Sequence, residues 1–182
     1  MGERRSHYEL AFEALLNRRG TPFVAVEDVR HFVKGRLGAK AFDYIVYPAG
    51  GIPCLVDVKG RKLSATSARD DARSNNWITR GDLEGMETWQ EAFGPEYVTA
   101  FVFAFWLAGD DAVGGEGASN ESVPRNVVSF AGRKYSFWIV RLSDYTQHQK
   151  QRSKKWDTVN IPTADFRRIS TRLQTAWPAA PC

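Results

Sequence analysis

An acid and a lysine lie two positions apart in Leu55-Val56-Asp57-Val58-Lys59, a segment with the apolar composition of a short buried strand. Side chains alternate between the two faces of a strand, so Asp57 and Lys59 are expected on one face and the two valines on the opposite, apolar face. A carboxylate and an ammonium group side by side at the edge of a sheet could hold a divalent cation and a phosphate together. The pair alone is a weak signal, because it is expected by chance about once in a chain of this length.

A second acid, Asp43, lies in the preceding apolar segment, residues 42–47. The turn Ala49-Gly50-Gly51 separates this segment from the strand expected at residues 53–59, which predicts an antiparallel hairpin. Aspartate is disfavoured within strands, and a residue that breaks a local preference indicates a functional site. The alternative for Asp57 and Lys59 is an ion pair at a strand end, which contributes little to stability.

Two helices frame these strands in the prediction. Ser6 and Glu9 have the spacing of a capping box before apolar residues at helical spacing, and Thr79 and Asp82 repeat the pattern before a second such run. Further strands are expected at residues 23–26, 98–106 and 134–142, a last short helix at 163–173, a loop at 61–76 and a mobile loop at 109–124, while residues 27–34 stay ambiguous. The order of elements predicts an α/β domain with a mixed sheet flanked by helices.

Composition limits the class of protein. The chain has 182 residues, 43% of them hydrophobic and 13% aromatic, which is typical of one globular domain. The net charge of +4 permits a nucleic-acid partner. The two cysteines form no CxxC pair, which argues against a zinc ribbon and is compatible with a reducing, cytoplasmic location. The longest apolar run, residues 97–108, is too short to span a bilayer, so no membrane partner is expected.

Three blocks of the sequence together resemble the PD-(D/E)XK nuclease superfamily. The blocks are His7-Tyr8-Glu9-Leu10-Ala11-Phe12-Glu13 running to Gly20, Phe42-Asp43-Tyr44-Ile45-Val46 with Leu55-Val56-Asp57-Val58-Lys59, and residues 77–86 running to Gly94 and the strand at Val98. Within the superfamily the spacing is most similar to archaeal Holliday-junction resolvases. The first block also resembles an uncharacterised bacterial group named for its His-Tyr-Glu-x-x-Phe-Glu helix. The resemblance covers roughly residues 6 to 107.

This resemblance implies a restriction-endonuclease-like mixed sheet in a domain at residues 1–145, followed by a basic extension with a short helix at 146–182. It implies a nuclease that hydrolyses phosphodiester bonds, with DNA as the expected substrate and RNA left open, and it allows a homodimer. The alternative is a catalytically inactive module on the same fold that binds nucleic acid or protein, since a fold does not determine function.

The resemblance also implies site residues. Asp43 corresponds to the first metal-binding acid, Asp57 to the second, where glutamate is commoner, and Lys59 to the motif lysine. A Mg²⁺ or Mn²⁺ ion held by Asp43, Asp57, the Val58 carbonyl and Glu9 would lower the pKa of its bound water and neutralise charge on the phosphate. Lys59 would orient that water or stabilise the developing charge.

Three further positions keep two interpretations each. Glu9 and Glu13 lie one turn apart on one face of the first helix, and the distance to Gly20 favours Glu9 as the site acid. Either could instead be structural, Glu9 as a capping residue and Glu13 as a solvated one. Gln90 falls on the second helix where some superfamily members place a catalytic glutamine, and a structural role is its alternative.

A basic run near the end of the chain is the last candidate. Lys150, Arg152, Lys154 and Lys155 precede Trp156. Such a run could bind phosphates and stack a base, or it could be a solvated loop.

Overall fold

The computed structural model describes residues 5–26, 40–64, 72–108, 127–173 and 177. Within these ranges the helices are α1 (His7–Arg18), α2 (Arg80–Phe93), α3 (Leu142–His148) and α4 (Thr163–Ile169), with a 3-10 turn at Ala72–Asn75. The strands are β1 (Phe23–Ala25), β2 (Tyr44–Val46), β3 (Cys54–Ser64), β4 (Ile78–Thr79), β5 (Val98–Ala108), β6 (Val128–Phe130), β7 (Arg133–Arg141), β8 (Lys150–Ser153), β9 (Thr158–Asn160) and β10 (Thr171–Arg172).

The main sheet is mixed, and its strand order is β1-β2-β3-β5-β7-β10, with β6 also paired to β7. β3 and β5 are parallel and are joined through α2, whereas the other neighbouring strands are antiparallel. The predicted α/β class, with a mixed sheet flanked by helices, is therefore confirmed. No helix within the described ranges has the length and apolar character needed to cross a membrane.

Two apolar clusters lie on the two faces of this sheet. Phe12 of α1 packs with Val56 and Val58 in one cluster. Leu55 packs in the other, which includes buried side chains of α2, α3 and α4, among them Trp89. The alternation along β3 is thus the predicted one, and it places Asp57 and Lys59 on the face covered by α2.

The helix ends follow the sequence patterns. The capping boxes at Ser6 with Glu9 and at Thr79 with Asp82 are both present. The predicted β2–β3 hairpin is also observed, with the register Tyr44 opposite Val56.

A second, three-stranded sheet has the order β4-β9-β8 and was not expected from the sequence. Strand β8 of this sheet contains the first part of the basic run, which the sequence predicted to be a phosphate-binding patch or a solvated loop. β10 pairs with β7 of the main sheet, and Phe166 of α4 is fully buried in the core on the α2 face. The described part of the chain beyond residue 145 therefore packs on the main domain, while the domain division itself stays a prediction.

β3 is longer than predicted and extends to Ser64, into the segment expected to be a loop. It pairs with β5 along its whole length, from Cys54 opposite Val98 to Ser64 opposite Ala108. Tertiary pairing overrides the polar composition there. The predictions for residues 27–34 and 109–124 lie outside the described residues.

Other differences have equally local causes. β6 was missed, and it is joined to β7 by Ala131 and Gly132, whose positive φ angles of 47° and 71° form a tight hairpin turn. α3 was missed as well, because its main anchor is the single fully buried side chain of Tyr145.

Gly60 of β3 lets α1 approach the sheet, and its replacement by alanine should destabilise the protein. A Cβ atom there would lie 2.2 Å from the Tyr8 ring. We expect Gly60→Ala to lower the free energy of unfolding by about 1–3 kcal/mol, measured by urea denaturation. In a Tyr8→Ala background the same change should cost less than about 1 kcal/mol. An equal loss of unfolding free energy in both backgrounds would show that the Tyr8 ring is not what excludes a side chain at Gly60.

Candidate active site

The site forms where β2 separates from β3. The Asp43 amide donates to the Val56 carbonyl (2.9 Å), which is the last backbone bond toward this end of the hairpin. Beyond it the Val58 amide donates to Oδ2 of the Asp43 side chain (2.6 Å) instead of to a backbone carbonyl. The carboxyl of Asp43 is thereby held against β3, beside Asp57.

Asp57, which is buried, and Asp43, which is half-buried, form a carboxyl pair. Burial, with the charge of Asp57 and a smaller effect of Glu9, raises the pKa of Asp43 to about 7, against the opposing effects of the Val58 amide and Lys59. Burial also raises the pKa of Asp57, although Lys59 and a hydrogen bond with Asp43 oppose it. Two adjacent carboxyls with little access to water cannot both ionise at low cost, so below about pH 7 Asp43 keeps its proton and donates it in the hydrogen bond with Asp57.

Lys59 lies between two carboxylates. Its Nζ is 2.8 Å from Oδ2 of Asp57 and 3.2 Å from Oδ1 of Asp82. Burial alone would lower the pKa of Lys59, but these two charges outweigh it and the pKa is raised. The ammonium therefore stays charged, and this buried ion pair is not the solvated strand-end pair of the alternative interpretation.

Asp82 is the site residue that the sequence analysis missed. It was recognised only as a helix cap, and its Oδ2 does accept the Thr79 amide (2.9 Å). Its Oδ1 also contacts Nζ of Lys40 (2.8 Å) as well as Lys59. Burial would raise the pKa of Asp82, but Lys59, Lys40 and Thr79 together hold the pKa well below its usual range. Asp57, Lys59, Asp82 and Lys40 form a chain of alternating charge, and Asp43 adjoins it at the Asp57 end.

The two glutamates of α1 differ in their surroundings. Glu9 accepts a hydrogen bond from Ser6 Oγ (2.6 Å), and its charge acts on Asp43. Glu13 accepts from the Tyr44 hydroxyl (2.9 Å) and forms an ion pair with Arg5. Glu9 is therefore the α1 carboxylate whose charge contributes to the raised pKa of Asp43.

Gln90 lies apart from this charge chain. Its amide nitrogen donates to the carbonyls of Gly94 (3.0 Å) and Tyr97 (2.9 Å), and its oxygen accepts from the amide and hydroxyl of Thr99. Both donors and both acceptor sites of the amide are occupied, so the side chain fastens the end of α2 to β5.

Comparison with solved structures gives a likeness of fold. No family model and no curated protein matches the chain. The solved structure of Hjc, a Holliday junction resolvase from the archaeal hyperthermophile Archaeoglobus fulgidus, is similar with a TM-score of 0.47 and 13% identity, over 92% of this chain and 95% of that chain.

The donor set fits one kind of metal site. Within the described ranges no three His, Cys, Asp or Glu side chains lie close enough to form a metal-binding group. Asp43 and Asp57 supply two adjacent carboxyls, and Mg²⁺ in proteins is commonly held by one or two carboxylates together with water and substrate phosphates. At Val58 the contact to Asp43 is made by the backbone amide. The pair suits a hard cation and not zinc.

The raised pKa of Asp43 predicts a pH dependence of stability without metal. An acid whose pKa is higher in the folded than in the unfolded state favours folding at low pH, so the free energy of unfolding should fall as pH rises from about 4 to about 7. Asp43→Asn keeps an acceptor for the Val58 amide and a donor for Asp57. We expect it to raise Tm in chelator at pH 8 by about 2–6 °C, and less at pH 5. Asp43→Ala, which lacks the acceptor, should gain less. A lower Tm for Asp43→Asn at pH 8 would contradict the shared proton.

The hydrogen bonds of Gln90 predict a structural phenotype. We expect Gln90→Ala to lower the free energy of unfolding by roughly 2–3 kcal/mol in urea denaturation, because several partly buried partners lose their bonds. Glu91→Ala, at the exposed neighbouring position, is the matched control and should change stability little. Unchanged stability combined with loss of a catalytic activity would instead place Gln90 in the reaction.

Proposed function

We propose that this protein is a divalent-metal-dependent nuclease that hydrolyses phosphodiester bonds, with DNA as its expected substrate. One observation supports this most: the carboxyls of Asp43 and Asp57 form a pair beside β3, the pKa of Asp43 is raised to about 7, and the Lys59 ammonium lies 2.8 Å from Asp57. Carboxylates for a hard cation and an ammonium for a phosphate oxygen are the groups that phosphodiester hydrolysis requires.

In this proposal Asp43 and Asp57 bind Mg²⁺ or Mn²⁺, with the Val58 carbonyl as a further oxygen donor. The bound ion would supply a water of lowered pKa and neutralise phosphate charge. Lys59 steadies the charge that develops on the phosphate. Asp82 is a positioning residue, because its contact with Lys59 fixes the ammonium beside Asp57.

Glu9 completes the proposed site from α1, and Glu13 is the weaker candidate. The charge of Glu9 acts on Asp43, whereas Glu13 is held by Tyr44 and Arg5. Glu9 accepts hydrogen bonds from the Ser6 hydroxyl and the Ser6 amide, and both are exposed, so rotation of the Glu9 carboxylate toward Asp43 would break only solvent-accessible bonds. Gln90 is left out of the proposed reaction because its amide is saturated.

The setting of the reaction is also part of the proposal. We place the protein in the cytoplasm, where Cys54 needs no disulfide partner: its thiol is buried in the core, and burial raises its pKa to about 12. A homodimer is proposed from the resemblance to the resolvases.

A catalytically inactive nucleic-acid-binding module is the second candidate. It is favoured by the lack of a three-acid group in the described parts of the chain and by the existing partners of both α1 glutamates. Binding without cleavage is its signature.

Asp57→Ala tests the proposal. Wild-type protein and the variant would be incubated with labelled single-stranded, duplex and branched DNA and with RNA, in Mg²⁺, Mn²⁺ or chelator. We expect metal-dependent cleavage by the wild type and at least a hundredfold loss in the variant, because an essential charge is removed. Asp165→Ala, on α4, is the matched control and should cleave normally.

Calorimetric titration with Mn²⁺ separates the two candidates. A wild type that binds Mn²⁺ through Asp57, binds nucleic acid and cleaves no substrate would be the inactive module. Undiminished metal-dependent cleavage by a folded Asp57→Ala protein, with the fold checked by circular dichroism, would remove Asp57 from the mechanism and reject the proposed site.

A further inference from the structure

The β8–β9 hairpin presents an exposed tryptophan among cations. Trp156 lies in its turn and is 70% exposed. Lys154 and Lys155 beside it are exposed as well, and Nζ of Lys155 lies 5.3 Å from the centroid of the Trp156 ring. Tryptophan is usually buried in large part, and here the ring is left open to solvent at a hairpin turn, where it is free to contact a partner.

The turn that carries Trp156 is held by specific bonds. The Trp156 amide donates to Ser153 Oγ (3.2 Å), and the Asp157 amide donates to the Lys154 carbonyl (3.4 Å). Asp157 has a positive φ of 43°, which the left-handed turn position requires. The ring is therefore presented from a defined backbone, and little ordering would be needed when a planar ligand stacks on it.

Arg80 ties this hairpin to the candidate active site. Its amide donates to the Asp157 carbonyl (2.9 Å), and its guanidinium contacts the Asp157 carboxylate (3.3 Å) and Gln151 Oε1 (2.9 Å). Arg80 is the first residue of α2, and Asp82 two positions later contacts Lys59. The hairpin and the proposed phosphate-binding lysine are thus positioned by the same helix end.

A line of cations connects the two places. Arg61 lies on the same face of β3 as Lys59 and about 7 Å further along the strand. Its guanidinium is 4.0 Å from the centroid of the Trp77 ring, and Arg152 of β8 lies 5.1 Å from that same centroid. Cationic side chains therefore continue from Lys59, which is itself paired with Asp57 and Asp82, through Arg61 and Arg152 to the hairpin turn.

We propose that the β8–β9 hairpin binds a nucleic-acid strand by stacking an unpaired base on Trp156, with Lys154 and Lys155 on neighbouring phosphates. The strand then follows Arg152 and Arg61 toward Lys59. This inference rests on the proposed function and narrows its substrate to nucleic acid with unpaired bases near the cleaved bond. An acidic peptide or an anionic membrane could satisfy the lysines, but neither offers the planar aromatic face that matches an exposed indole.

Nucleic-acid binding measured in chelator tests the role of the hairpin, because cleavage is blocked when the metal is removed. Fluorescence anisotropy would compare a labelled single strand, a blunt duplex of the same sequence and that duplex with an unpaired tail. We expect Trp156→Ala to weaken binding of the single strand and the tailed duplex about tenfold and of the blunt duplex less than twofold. Trp156→Phe keeps a stacking ring and should stay near wild type. Tyr47→Ala, at an exposed aromatic outside the hairpin, is the matched control and should have no effect.

The lysines have a different signature. Lys154→Ala should weaken the binding of all three nucleic acids alike. It should also reduce the slope of log K against log salt by about 1, because it removes one phosphate contact. Heparin, a polyanion without bases, should bind Trp156→Ala as tightly as wild type. Three results would overturn the proposal. Trp156→Ala could lose affinity equally for blunt duplex, heparin and single strand, it could bind every ligand as tightly as wild type, or the wild-type protein could bind no nucleic acid.

The outcomes separate this inference from the nuclease proposal. Metal-dependent cleavage that is lost in Asp57→Ala, together with binding that ignores Trp156, would reject the hairpin and keep the nuclease. Trp156-dependent binding in a protein that cleaves nothing would keep the hairpin and reject the nuclease.

Discussion

The desolvated carboxyl pair of Asp43 and Asp57 is the constraint around which the rest of the site is arranged. Taking carboxylates out of water is costly unless each finds a proton, a cation or hydrogen bonds. Here the Val58 amide, a shared proton and the Lys59 ammonium supply all three. The Val58 amide is available to the Asp43 side chain because β2 stops pairing at Tyr44 while β3 continues, and Lys59 reaches Asp57 because both lie on one face of β3.

The same constraint explains why Asp82 has two tasks. An N-cap box stabilises the start of α2 through one carboxylate oxygen, and the other oxygen is left to neutralise Lys59 and Lys40. Helix and site thereby become mutually dependent. Gly85 permits this arrangement, since the backbone of Lys40 lies only 3.3 Å from where a Cβ atom on that glycine would be. A helix end, a loop and a central strand are joined by one buried carboxylate.

Local patterns made much of this predictable from sequence. Cap boxes, the turn glycines and the alternation along β3 are set by residues close together in the chain, and all were confirmed. Contacts between distant segments were not predictable in this way. The residues around Asp82 do not predict its contact with a lysine 42 positions earlier. The polar residues after Lys59 likewise do not predict that this segment pairs with β5. Gln90 differs from these cases: its position in a resembling motif left a catalytic and a structural interpretation open, and its hydrogen-bond partners, only four to nine positions further on, favour the structural one.

The two ends of the charge chain differ in their effect on stability, and this difference favours a functional role for the Asp43 end. At the Asp82 end every charge is satisfied and the pKa is lowered, so ionisation there stabilises the fold. At the Asp43 end the pKa is raised, so ionisation near neutral pH costs stability. A structural network would not keep such an end, because apolar residues of similar volume would serve as well or better. An added cation would remove that cost, and the neighbouring charge of Glu9, unfavourable to the Asp43 anion, would then become favourable to the bound ion.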